Sequence, residues 1–179
     1  MIGAAGSLRD RIACCLSQWR QSPANPSRSV LEATAREVLE WKKRNSTPGI
    51  WEKTPVLVTA TLDDGWGHGI QLIQLFAEAA GMKVIPLGVL QEAEWVVSSC
   101  REIQPELLGL TVLQLDSEEQ LTSICRRIPP DTTVVAGGPV FSADPALAAR
   151  AGVAHVARNA ADFWEFLLTC RFTKEFRAF

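Results

Sequence analysis

Residues 61–70 read Thr-Leu-Asp-Asp-Gly-Trp-Gly-His-Gly-Ile and gather unusual chemistry into one short stretch. Asp63 and Asp64 can accept hydrogen bonds or hold a cation. His68 is one of only 2 histidines in the chain and belongs to the commonest metal-ligand type. Trp66 offers a large flat apolar face and an N–H donor, but no lone pair for a metal. Gly65, Gly67 and Gly69 separate these side chains and let a ligand come close to the backbone.

Several chemistries fail on their own requirements. Asp63, Asp64 and Asp116, at strand ends, suit a magnesium-assisted phosphoacceptor site. That constellation also needs a lysine at the end of the fifth strand, where HVARN offers Arg158 instead. The glycines of GWGHG lack the G-x-G-x-x-G spacing of a dinucleotide site, and no ribose-binding acid follows the second strand. Cys14, Cys15, Cys100, Cys125 and Cys170 are scattered without a CxxC, so neither a disulfide framework nor a zinc site follows. Adjacent Cys14 and Cys15 are expected on a helix, packed as small hydrophobes. No Ser-His-Asp or Cys-His arrangement is visible, so any activity would come from a cofactor or a partner.

The elements that must position these residues follow from periodicity. The chain has 179 residues, 47% hydrophobic and 21% charged, which fits one α/β domain with an appendage. Leu8, Ile12, Cys15, Leu16 and Trp19 recur at helical spacing. After the SPANPS break at Ser22–Ser27, a second helix is predicted over Ser29–Arg44. Residues 1–50 are therefore expected to form a helical N-terminal extension, and residues 51–179 an α/β domain. Strands are predicted at Pro55–Thr61, Lys83–Leu87, Leu107–Leu113, Thr132–Ala136 and Ala154–Ala157. Helices are predicted at Ile70–Ala80, Glu92–Ile103, Ser117–Arg127, Pro145–Arg150 and Ala161–Cys170. Runs such as VLVTA and LLGLTVL are apolar without alternation, as in parallel strands covered on both faces. The fold class is thus a flavodoxin-like, doubly wound, five-stranded parallel sheet. The two N-terminal helices need the main domain or a partner to cover their apolar faces; a homodimer through them is one expectation.

In such sheets a ligand sits at the carboxyl ends of the strands. Three loops gather there: DDGWGHG after the first strand, the end of TVLQLD after the third, and GGPVFS after the fourth. Their ordered motifs resemble the cobalamin-binding domain found in methionine synthase, methylmalonyl-CoA mutase and corrinoid proteins. That family carries D-x-H-x-x-G, then S-x-L, then G-G at these places. Here the matching residues are Asp64 to Gly69, then Thr111 to Leu113, then Gly137 and Gly138. KVIPLGV at Lys83–Val89 and Glu92–Glu94 also look familial, and the resemblance runs from Pro55 to Leu168.

The resemblance implies a corrinoid cofactor and a role for each matched residue. The family histidine ligates cobalt in place of the cofactor's dimethylbenzimidazole, whose nucleotide tail is buried in the protein. The aspartate two residues earlier orients that imidazole. Here Asp64 is present but Trp66 stands at the histidine position, so the resemblance implies corrinoid binding without a histidine ligand, with the indole facing the ring. Thr111 keeps a hydroxyl for the tail, Gly109, Gly137 and Gly138 keep room for it, and Gly69 keeps the tight approach to the following helix. Gly65, Gly67 and Leu113 complete the expected cofactor-binding set. His68, in a glycine-flanked loop, is the candidate metal ligand, though an exposed or helix-capping histidine is the plainer reading. His155 reads as a core or edge histidine.

Methyl-carrying members of the family place a helical bundle over the cofactor. Here about 50 residues precede the first strand, enough for two helices. Trp19, Trp41 and Trp51 are candidates for a lid, although helix packing is the plainer role. The expected function is a corrinoid carrier, chaperone or sensor, or a cofactor-carrying subunit of a methyltransferase or mutase-type system. The rivals are a haem- or tetrapyrrole-sensing domain using His68, and a ligand-free interaction module. The net charge of -2 argues against a nucleic-acid partner. No apolar run reaches the roughly 18 residues of a membrane span, and no signal peptide is legible, so a cytoplasmic location is expected.

Overall fold

Five parallel strands form one sheet: β1 (Val56–Thr61), β2 (Lys83–Gly88), β3 (Leu107–Thr111), β4 (Thr133–Gly137) and β5 (His155–Val156). Their order is β2-β1-β3-β4-β5, the flavodoxin-like winding expected from the sequence. This computed structural model describes residues 6–22 and 24–172. The ends of the predicted extension and domain, residues 1–5 and 173–179, and Pro23 of the SPANPS break lie outside the described residues. The central strands β1 and β3 pair from Leu57↔Leu107 to Thr61↔Thr111, and β3 pairs with β4 through Thr111↔Gly137. Pro86 is tolerated because β2 is an edge strand, and its pairing with β1 shifts register between Thr59 and Ala60.

The helices are α1 (Leu8–Gln21), α2 (Arg28–Arg44), α3 (His68–Ala80), α4 (Ala93–Ile103), α5 (Glu118–Arg127), α6 (Val140–Ala143), α7 (Leu147–Ala151) and α8 (Ala160–Thr169). Successive strand residues face opposite sides of the sheet. Leu57, Leu107 and Val135 pack under α3 and α8, while Val58, Leu108, Leu110 and Val134 pack under α4, α5 and α7.

The two N-terminal helices lie on the α3/α8 layer. Leu8, Ile12, Leu16 and Val38 are buried in one core with Phe76, Phe163 and Trp164. Ser7 starts α1 with a reciprocal capping box to Asp10. At the far end of α2, Lys42 donates from Nζ to the Glu78 carbonyl, and the Ile50 N–H donates to the Ala80 carbonyl at 3.0 Å. These contacts anchor the extension at the C-terminus of α3, near the amino ends of the strands. Much of its apolar surface is covered within the chain, while Val30 of α2 stays exposed.

Several elements differ from the sequence expectation. β3 stops at Thr111 instead of Leu113, because the Leu113 and Gln114 N–H groups turn to the Asp63 carboxylate. α3 begins at His68 instead of Ile70, so His68 is a first-turn residue and not part of the loop. β5 is only two residues long. A 3-10 turn at Leu115–Ser117 and the four-residue α6 were not anticipated; both are too short to show periodicity.

Candidate functional site

The strand order reverses between β1 and β3, so a ligand of this fold is expected at their carboxyl ends. The loop after β1 is held by its own side chains. Asp64 is buried, and its Oδ1 accepts hydrogen bonds from the Trp66 N–H at 2.9 Å and the Gly67 N–H at 3.1 Å. This is an Asx-type turn, in which a carboxylate replaces a backbone acceptor. Thr61 donates from Oγ1 to the Asp64 carbonyl and accepts from the Leu90 N–H at 3.0 Å, tying in the loop after β2. Asp63 reaches across to the loop after β3: Oδ1 accepts from the Leu113 N–H at 2.7 Å, and Oδ2 from the Gln114 N–H at 2.9 Å and the Ser117 hydroxyl at 2.8 Å. The two aspartates are structural clamps that fix three loops relative to one another. Asp116, the third acid at a strand end, lies in the 3-10 turn.

Gly67 makes the turn possible. Its φ of 65° is left-handed, and a Cβ there would lie 2.9 Å from Val89 Cγ1. The tight turn expected at Gly69 therefore falls to Gly67. Gly69 is the second residue of α3, and a Cβ on it would meet nothing within 4 Å. Gly65 abuts Leu90, with a Cβ position 3.6 Å from Leu90 Cδ1.

This scaffold pushes apolar side chains outward. Trp66 is 80% exposed, the largest value among the exposed large hydrophobics, while Leu90 is 57% and Leu115 52% exposed. Val89 and Leu113 are partly exposed beside them in sequence. All five come from loops at the carboxyl ends of β1, β2 and β3. Trp95, in the first turn of α4, is also exposed at 55%. A folded domain rarely leaves so many large apolar groups at one end of a sheet without a use for them. Sequence reasoning found Trp66 and Leu113 but missed Val89, Leu90 and Leu115; the signal was available in the apolar tails of LGVL and LQL just past the strand ends.

Beneath the loops the chain packs against itself. Gly109 and Thr111 lie on the same sheet face as Leu107, towards α3. A Cβ on Gly109 would sit 3.4 Å from Leu57 Cδ1 and 3.5 Å from Thr59 Cγ2. Thr111 and Thr59 are buried, and Thr59 Oγ1 accepts a hydrogen bond from Gln74 Nε2 at 2.9 Å. A Cβ on Gly137 would lie 2.9 Å from the Ala157 carbonyl oxygen. Gly138 has φ of 136°, and a Cβ there would overlap the Val112 carbonyl oxygen. The double glycine thus lets neighbouring backbone approach.

Residues 55–163 match the family model described as the B12 binding domain. The chain belongs to this family. Solved structures agree at the level of fold. A novel cobalamin-binding protein from Desulfitobacterium hafniense DCB-2 superposes with TM-score 0.67 at 22% identity, covering 78% of this chain and 68% of that one. The Methanosarcina barkeri monomethylamine corrinoid protein gives 0.62 at 21% identity, covering 78% and 64%. The methanol:cobalamin methyltransferase complex MtaBC from Methanosarcina barkeri gives 0.61 at 18% identity, covering 98% and 76%. No curated protein sequence matches the chain.

Against the donor set of a B12-binding domain, the site fits the cofactor in part. The flat apolar ends of the loops suit a macrocycle. Trp66, which the sequence resemblance matches to the family histidine, has no lone pair for a metal, and Asp64 Oδ1 accepts from the Trp66 and Gly67 N–H groups. His68 is exposed on the first turn of α3, its ring centroid 6.1 Å from that of Trp66. Among the described residues no group of three or more His, Cys, Asp or Glu side chains is placed to hold a metal.

His155 lies on β5, stacked on Phe166 with centroids 4.2 Å apart. Burial lowers its pKa below 6.5, Asp162 opposing. The five cysteines are free. Burial raises the thiols of Cys15, Cys100, Cys125 and Cys170 to about 11, so they stay protonated near neutral pH.

The three tryptophans proposed as a lid are packed elsewhere. Trp19 stacks on Trp164 at 5.8 Å and on Phe76 at 6.1 Å. Trp41 lies under the Arg11 guanidinium, and Trp51 Nε1 donates to the Cys170 carbonyl at 3.1 Å. Among the described residues no helix is long and apolar enough to cross a membrane.

Proposed function

We propose that this chain binds a corrinoid at the carboxyl ends of β1–β3 with no protein histidine beneath cobalt, and acts as a carrier or chaperone that passes the cofactor to a partner protein. The observation that carries the reading is Trp66, 80% exposed on a loop clamped by Asp63 and Asp64; the sequence resemblance matches it to the family's ligand position. An exposed indole on a rigid loop gives area for a flat ring at little entropic cost. When bound, the corrinoid supplies all cobalt-centred chemistry. The chain's residues bind and orient: Trp66 and Leu90 supply apolar contact, Asp64 and Gly67 hold the indole outward, and Asp63 keeps the β3 loop in register with it. A site that does not ligate the metal releases its cofactor more readily than one that does, which suits hand-over. The presence of a methyltransferase complex among the structural neighbours supports a protein partner.

The haem alternative gains nothing from the family match, and His68 would give iron a single exposed donor. The test is retention of hydroxocobalamin through gel filtration, read by the visible spectrum. Co-elution with the protein is the expected result. Folded protein that retains no cobalamin overturns the reading and leaves the apolar loop ends as a protein-docking surface.

A further inference from the structure

The residues that resemble a tail-binding set do not leave a tail-shaped space. Gly137 and Gly138 are both spent on close backbone approach, to the Ala157 and Val112 carbonyls. Gly109 is in ordinary contact distance of Leu57 and Thr59, and Phe76, Ala77 and Ala80 of α3 are wholly buried over the same face.

The metal side gives the same answer. Detaching dimethylbenzimidazole from cobalt costs a coordinate bond, which a family histidine repays with another. Here the matching residue is Trp66, which has no lone pair, and Asp64 Oδ1 is committed to the Trp66 and Gly67 N–H groups. Nothing at that position repays the loss. The exposed surface, by contrast, is apolar and asks only for a flat partner.

Resting on the corrinoid reading above, we propose that this domain takes the macrocycle alone: cobalamin docks with dimethylbenzimidazole still on cobalt and its nucleotide outside the protein, with Trp66 and Leu90 supplying the apolar contact to the corrin. The tail-binding motifs have become packing motifs.

Two measurements on the full chain test this. The first compares hydroxocobalamin with cobinamide, which lacks the nucleotide. Equal affinity within about threefold is expected, whereas cobalamin binding more than about tenfold tighter means that the tail is gripped and overturns the proposal. The second is the electron paramagnetic resonance spectrum of cob(II)alamin bound to uniformly ¹⁵N-labelled protein. The cofactor's own ¹⁴N ligand splits each cobalt line into a triplet, the expected result. A doublet from a protein ¹⁵N assigns the ligand to a histidine, and absence of nitrogen splitting shows the base displaced; either result overturns the proposal. If neither cobalamin nor cobinamide binds, the corrinoid reading itself falls and this inference with it. If cobalamin binds with its tail inserted, only this inference falls.

Discussion

Replacing Trp66 by alanine separates binding from folding more cleanly than any other single change at the site. At 80% exposure the side chain contributes little to the core, so the cost to stability should stay within about 0.5 kcal/mol. Binding is another matter. A tryptophan presents about 150–250 Å² of surface, and a ring lying on one face of it would cover on the order of 100 Å². At about 25 cal/mol per Å² that is about 2.5 kcal/mol, or roughly a 70-fold loss of affinity. The figure agrees with the roughly 1–3 kcal/mol measured when aromatic platforms for nucleic-acid bases are truncated. Trp66→Phe keeps a flat ring and should recover most of the loss. The assay is titration of hydroxocobalamin followed by calorimetry or by the visible difference spectrum, with thermal melts of all three proteins alongside. An alanine variant that folds normally and binds cobalamin as the parent does would refute the platform.

Three other outcomes follow from the same geometry. Asp64→Ala strips the acceptor from the Trp66 and Gly67 N–H groups and should cost about 1–3 kcal/mol in thermal or urea unfolding, whereas Asp64→Asn keeps an Oδ1 and should cost less than about 1 kcal/mol. Were the acid instead orienting a metal ligand, the asparagine would be as damaging to cofactor affinity as the alanine. Trp19→Ala removes the ring stacked on Trp164 and Phe76 and should lower stability by about 2–3 kcal/mol with cobalamin affinity unchanged; a large loss of affinity would restore Trp19 as a lid. Because burial holds the folded pKa of His155 below 6.5, the unfolded chain binds more protons between the two values. Its contribution is complete above the unfolded pKa and is lost as pH falls through the folded one, so from about pH 7 to about pH 5 the parent should lose melting temperature relative to His155→Gln. The carboxylates of Glu118 and Asp144, held down by Arg150, titrate at lower pH and are common to both proteins.

The parts of the fold that were legible in the sequence are those set by burial on two faces. VLVTA and LLGLT are apolar throughout because β1 and β3 lie at the centre of the sheet, and a doubly wound parallel sheet followed from the βα rhythm. The ends of elements were less legible because side chains far away in sequence decide them. Leu113 reads as strand, yet Asp63, fifty positions earlier, takes its N–H and ends the ladder at Thr111. His68 reads as loop because glycines flank it, yet a left-handed Gly67 makes it the first residue of α3. The exposed apolar patch was half visible: Trp66 stood out by type, whereas Val89, Leu90 and Leu115 looked like the apolar tails of strands until the sheet stopped short of them. The N-terminal helices announced a need for cover by their spacing, but which surface they cover depends on Trp164 and Phe76, and no local pattern names those two.

The Asp-x-Trp loop, which resembles a ligand motif, is held by contacts of its own. An aspartate that orients an imidazole must offer it an oxygen. In this chain Asp64 Oδ1 has turned to the backbone of the next residues, which also suits a loop whose third position is now a bulky indole. The turn places Trp66 outward, and the left-handed Gly67 that follows lets Val89 pack close without a clash. Each step makes sense without a metal ligand, and none interferes with a flat ring stacked on the outside. The same logic covers the double glycine, kept because Val112 and Ala157 need the room. Residues that resemble a cofactor motif can therefore be held in place by packing alone, which is why the decisive measurement is on cobalt's lower ligand and not on whether the motif is present.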